Sequence, residues 1–129
     1  MSFTDLAEAQ TLNYWFNGIA GTQPPSVWIG LYQVAPNDDG TGGTEASGTG
    51  YARQEVTAGF TIATGPGTAK NTNAITFPKA ITAWGTVVSV VVFDAIAGNA
   101  IGIGTVASTP ILINEVFQFN PLDLTITLT

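Results

Sequence analysis

Three acidic residues, Asp38, Asp39 and Glu45, lie in one stretch between two strand-like segments. Calcium takes several oxygen ligands from flexible loops, so this trio is the candidate metal site. The spacing is not that of an EF-hand, and a solvated turn on Asn37-Asp38-Asp39-Gly40 accounts for the same residues. Glycosidic hydrolysis needs only two carboxylates at a suitable separation, and Glu55 with Asp94 is one such pair. No flanking signature selects that pair over others, and solvated surface charge explains both acids. Trp15, Trp28 and Trp84 are the candidates for stacking on sugar rings. Arg53, one of only three cations, is placed to pair with Asp39 or Glu55 and so tie the acidic stretch to a strand.

Two glycine-rich stretches resemble phosphate-binding loops only superficially. Gly40 to Gly50 has no Lys and no following helix, both of which a P-loop requires. Gly102-Ile103-Gly104 lacks the third glycine of a dinucleotide site and reads as glycine within a strand.

Missing residue types narrow the chemistry further. Of 129 residues, none is Cys and none is His. That removes disulfides, thiol nucleophiles, His-based proton shuttles and His- or Cys-ligated metals. Three basic residues cannot neutralise a row of phosphates, so no nucleic-acid partner is expected. The most apolar stretch, Val87 to Phe93, is interrupted by Ser89 and ends at Asp94, far short of the ~20 residues a spanning helix needs. The start, MSFTDLAEAQ, lacks the basic and apolar parts of a signal peptide. The chain reads as non-enzymatic, without a cofactor and without a membrane partner. Only 9% of its residues are charged, against about 25% in an average soluble protein. So sparse a charge on the surface points to assembly with other chains.

These residues must be positioned by a mainly β scaffold. Residues 2–17 read as the only helix, with Ser2 and Asp5 at its start, Leu6, Ala9, Leu12 and Phe16 on one face, and Gly18 ending it. Val27 to Val34 reads as a strand buried on both faces, and the β-branched Thr86 to Phe93 as a central strand. Residues 35–50 form a long, glycine-rich acidic loop. Shorter strands are expected at 51–57, 59–64, 74–77 and 100–106, with a polar loop over 65–73. The last pair is expected at 111–119 and 122–128, the latter with Leu122, Leu124, Ile126 and Leu128 on one face. The sum is one domain over residues 1–129: an all-β antiparallel sandwich of seven or eight strands, jelly-roll-like, with one short N-terminal helix.

One combination of motifs resembles a known family. Val27-Trp28-Ile29-Gly30-Leu31-Tyr32, then Glu45-Ala46-Ser47-Gly48-Thr49-Gly50-Tyr51-Ala52-Arg53, then Ala83-Trp84-Gly85-Thr86-Val87 and Phe93-Asp94-Ala95 are similar to small phage virion proteins labelled tail-fibre or tail proteins. The likeness runs along nearly the whole chain. Where relatives often carry a Gly-Asp turn before the penultimate strand, this chain has Ile113-Asn114-Glu115. The resemblance implies a structural virion component, made in the host cytoplasm and tail-associated as a fibre, adaptor or baseplate piece. Its partners would be itself, in threes as fibres and decorations commonly assemble, and other tail or capsid proteins. A capsid decoration or cement protein is the alternative, and a carbohydrate-binding β-sandwich a further one. The contact elements expected are the helix, through Phe3, Leu6 and Trp15, and the loop, through Asp38, Asp39 and Tyr51.

Overall fold

The computed structural model describes residues 1–56, 59–61 and 67–127. Two strands form its centre, β2 (Trp28–Val34) and β7 (Gly85–Phe93). Both are rich in β-branched and aromatic residues, which suit a pleated surface. They pair antiparallel from Trp28↔Phe93 to Tyr32↔Ser89. β8 (Ala100–Ile111) lies on the other side of β7, with irregular register near Val87/Ser89 and Val92/Phe93. A two-residue β1 (Ser2–Phe3) borders β8. β3 (Thr44–Glu45) and β4 (Gln54–Glu55) lie end to end along the free edge of β2. The sheet order is β1-β8-β7-β2-β3, with β4 also on β2.

Two small antiparallel ribbons complete the sandwich: β5 (Thr68–Lys70) with β10 (Thr125–Thr127), and β6 (Ile75–Thr76) with β9 (Gln118–Phe119). Strand alternation sends Ile29, Leu31, Val90 and Val92 to one face, where they share an apolar cluster with Ile75, Phe77, Phe119 and Leu124 of the ribbon side. The opposite face of the large sheet buries Tyr32, Val91 and Phe93 beside Trp28 and Ala100. β2 is therefore covered on both sides, as its two apolar faces require. Asn71 is fully buried, yet both its side-chain polar atoms are satisfied: Nδ2 donates to the Asn73 and Asn120 carbonyls, and Oδ1 accepts from the Leu124 N–H at 2.8 Å.

Helix α1 spans Asp5–Phe16. The expected start at Ser2 is corrected: Ser2 belongs to β1, and Thr4 sits at the cap position without capping through its side chain. Thr4 is instead tied to β8, its N–H to the Ile101 carbonyl and its hydroxyl to the Ala100 carbonyl. The Asp5 N–H, which has no partner within the helix, donates to the Asp38 carbonyl at 3.0 Å. Gly18, at φ 65, reverses the chain so that the Ile19 N–H reaches back to the Asn13 carbonyl.

Several expected elements change. The loop 35–50 is broken by β3, and the strand at 51–57 shrinks to β4, with Thr57 outside the described residues. The strand at 59–64 falls largely outside them too; of it, Phe60 forms a bridge to Asn71. The polar loop 65–73 contributes β5. At the end of the chain β8 continues to Ile111, and the chain then turns at Asn114, φ 69. Leu122 also has positive φ (69) and is exposed, so the expected strand reduces to β10, with Leu128 outside the described residues.

Candidate interaction surface

The segment Glu45 to Arg53 leaves the edge of β2 after β3 and returns at β4. The departure opens a gap in the ladder at Leu31. The Leu31 carbonyl is still met by the Ala46 N–H at 2.8 Å, while its N–H donates to the Tyr51 hydroxyl at 3.0 Å. Tyr51 in turn donates to Glu45 Oε1 at 2.8 Å. Arg53 grips the same carboxylate with both arms of a fork, Nε to Oε1 at 2.8 Å and Nη2 to Oε2 at 2.9 Å. Its remaining nitrogen, Nη1, reaches the Ile96 carbonyl, and the guanidinium lies 3.5 Å above the Phe93 ring centre. Room for this cluster comes from Gly30. A Cβ there would lie 3.0 Å from both Glu45 Oε1 and the Phe93 ring.

Burial alone would raise the Glu45 pKa, but the hydrogen bonds from Arg53 and Tyr51, with the Arg53 charge, outweigh it and hold the carboxyl below its ordinary value. Burial pushes the Tyr51 hydroxyl far up, so it stays protonated and able to donate. The Arg53 guanidinium is raised by its hydrogen bonds to Glu45. A phenol and a guanidinium fixed in this way hold an ion pair and leave no free base. The cluster is a fastener.

The second half of the sequence signature meets the first in space. Trp84 is fully buried, edge-on to Tyr51 at 5.3 Å, and donates its indole N–H to the Thr49 carbonyl at 3.3 Å. Gly48 lies so close that a Cβ would stand 2.7 Å from Trp84 Cδ1, and its φ of 150 would strain any other residue.

The far end of α1 presents a different surface. Leu12, Tyr14, Trp15, Phe16 and Ile19 are all exposed, Trp15 at 72% and Phe16 at 78%. The helix meets the sheet along β8 and β1, and none of its residues is fully buried. Tyr14 and Trp15 meet edge-on at 5.5 Å within this exposed set.

A protein-family model, described as Podophage GP4 fiber I protein gp80, matches residues 2–127. The chain belongs to this phage fibre family. A comparison with curated proteins finds no match. As a member of the fibre family the protein is a phage virion component with a structural, tail-associated role, one that places it among other virion proteins.

The residues singled out from sequence divide sharply within this fibre-family fold. Glu45 and Tyr51 are brought together, with Arg53, into the fastener. Arg53 therefore pairs with Glu45, not with the expected Asp39 or Glu55. Tyr51, expected as a contact residue, turns inward because the ladder gap at Leu31 needs its hydroxyl. Asp38 and Asp39 are exposed; the Asp39 carboxylate accepts from the Thr41 hydroxyl and N–H, whose hydrogen bonds lower its pKa. Among the described residues no three carboxylates gather to hold a metal ion, and Glu45 is committed elsewhere. Phe3 and Leu6 are half-buried, whereas Trp15 is open to solvent. The three tryptophans share no platform: Trp84 is interior, and Trp15 meets Tyr14 edge-on at 88°. Among the described residues no helix is long and apolar enough to cross a membrane. One helix face cannot bury the three adjacent aromatics Tyr14, Trp15 and Phe16 together, which is the signal that singled out Trp15 for a partner; Ile19, also exposed, gave no such signal.

Proposed function

We propose that the protein is a single-domain, non-enzymatic tail piece of the virion that docks on other virion proteins through the aromatic end of α1 and assembles with copies of itself in threes. The observation that carries the docking is the exposed cluster Leu12, Tyr14, Trp15, Phe16 and Ile19, which the fold leaves uncovered. The scarcity of surface charge supports assembly, because uncharged faces lose less on desolvation. The few potentially catalytic side chains are either paired in the fastener or spread over the surface. Repeated copies on a particle turn modest contacts into firm attachment.

The test replaces Trp15 and Phe16 together by Ser and measures incorporation of the chain into assembled particles. Incorporation should fall steeply, with the unfolding midpoint of the purified chain unchanged. Normal incorporation would refute docking through this surface. Light scattering on the eluted wild-type chain addresses the trimer separately. A mass near three times 13.3 kDa supports it, and a mass of one chain refutes it.

A further inference from the structure

Between α1 and the segment 21–24 lies a cleft of about 370 Å³. Its walls include Gln10, Tyr14, Trp15, Gln23, Pro24 and Asp94. Several features there favour a cation. Asp94 Oδ1 accepts the Asn99 N–H at 2.7 Å, but Oδ2 has only a 3.4 Å contact to the Asn99 amide, and among the described residues no cation pairs with it. The last turn of α1 carries no basic residue, so the negative end of its dipole is unneutralised. Trp15 lines the cleft and is 72% exposed, and an indole is the strongest natural partner for a flat cation. Arg53, whose Nη1 reaches the Ile96 carbonyl two residues beyond Asp94, has its charge committed to Glu45. The protein uses the same recognition internally, where Arg53 lies between the Glu45 carboxylate and the Phe93 ring.

We propose that this cleft receives an arginine side chain carried by a neighbouring virion protein, its guanidinium stacked on Trp15 and paired with Asp94. The proposal rests on the docking reading above and names the chemistry of the partner. A planar guanidinium satisfies both an aromatic face and a carboxylate, which a lysine ammonium does less well. A second copy of this chain is a poor source, because its only arginine is Arg53, already forked onto Glu45. A neutral saccharide would leave the negative charge of the cleft unanswered.

The probe is a short synthetic peptide with one central arginine flanked by apolar residues, and its twin with citrulline, the neutral isostere. Binding to the full chain is followed by amide and indole NMR shifts. The arginine peptide should move the Trp15 indole and residues 10–25 and bind about two- to fivefold more tightly than the citrulline peptide, a ratio in keeping with one exposed cation–π contact. Asp94→Asn, which keeps an acceptor for Asn99, and Trp15→Leu should each abolish that preference. Equal binding of the two peptides, or shifts mapping outside the cleft, would overturn the proposal. So would shifts at the same residues with a neutral hexasaccharide and none with the arginine peptide. If the peptides bind equally while incorporation still depends on Trp15 and Phe16, the docking reading stands and only the arginine is refuted.

Discussion

Replacing Glu45 by Gln removes the charge from the centre of the fastener while keeping its shape. The Arg53 fork loses its anionic partner, and the amide nitrogen of Gln faces one of the guanidinium donors. A hydrogen bond to a charged group is worth about 1.5–3 kcal/mol, and breaking a fully buried pair costs about 3–5 kcal/mol. Here the side chains of Arg53 and Glu45 remain 19% and 27% exposed, so solvent recovers part of that loss. The expected destabilisation is about 2–3 kcal/mol. For a chain of this length that lowers Tm by roughly 8–12 °C. Urea unfolding followed by tryptophan fluorescence measures it directly, since the buried Trp84 reports on loss of the core. With a slope of about 1.5 kcal/mol/M the midpoint falls by roughly 1.3–2 M. Arg53→Met keeps an unbranched apolar side chain in place of the guanidinium, and the double variant should lose clearly less than the sum of the two singles. A loss under about 0.5 kcal/mol for Glu45→Gln, with additive singles, would show that the fork is incidental and refute the reasoning.

The pH dependence has a defined sign. Glu45 is held below its ordinary 4.5, so the stability it contributes is complete above that value and drains away as pH falls through its lower folded pKa. Acid titration of unfolding should show this loss, and Glu45→Gln should flatten it. Trp84→Ala, at a fully buried site, should cost about 3–5 kcal/mol by chemical denaturation. Gly48→Ala should cost about 1–3 kcal/mol from backbone strain, more if the Trp84 contact cannot relax, and its unfolding midpoint should fall accordingly. Trp15→Ser should move stability by less than about 0.5 kcal/mol while changing how the chain associates.

The central strands were legible because β2 and β7 advertise themselves through runs of β-branched and aromatic residues that only a doubly covered strand can use. The end of α1 was legible for a local reason, since Gly18 supplies the positive φ that the reversal needs. What escaped was pairing at long range. β3 consists of Thr44 and Glu45, and nothing in a glycine-rich loop signals that two residues will dock on β2. The ion pair escaped for the same cause: the Arg53 partner is chosen by the detour around Leu31, which composition does not encode. Leu122 misled in the other direction. Its place in an alternating run predicts a strand, yet a turn at φ 69 claims it, and β10 is held by β5 from a segment that reads as polar loop.

The way α1 is attached bears on how the molecule carries force. Thr4 is bolted to β8 by two hydrogen bonds, and the first free amide of the helix is bolted to the acidic loop at Asp38. A pull on the aromatic end therefore travels down the helix axis and divides at its base between the large sheet and the loop. The sheet branch runs through β1, which lies antiparallel on β8, so load directed along those strands would shear their bonds together and not peel them one by one. Under the docking proposed above, the strain of attachment would pass into the six-stranded sheet.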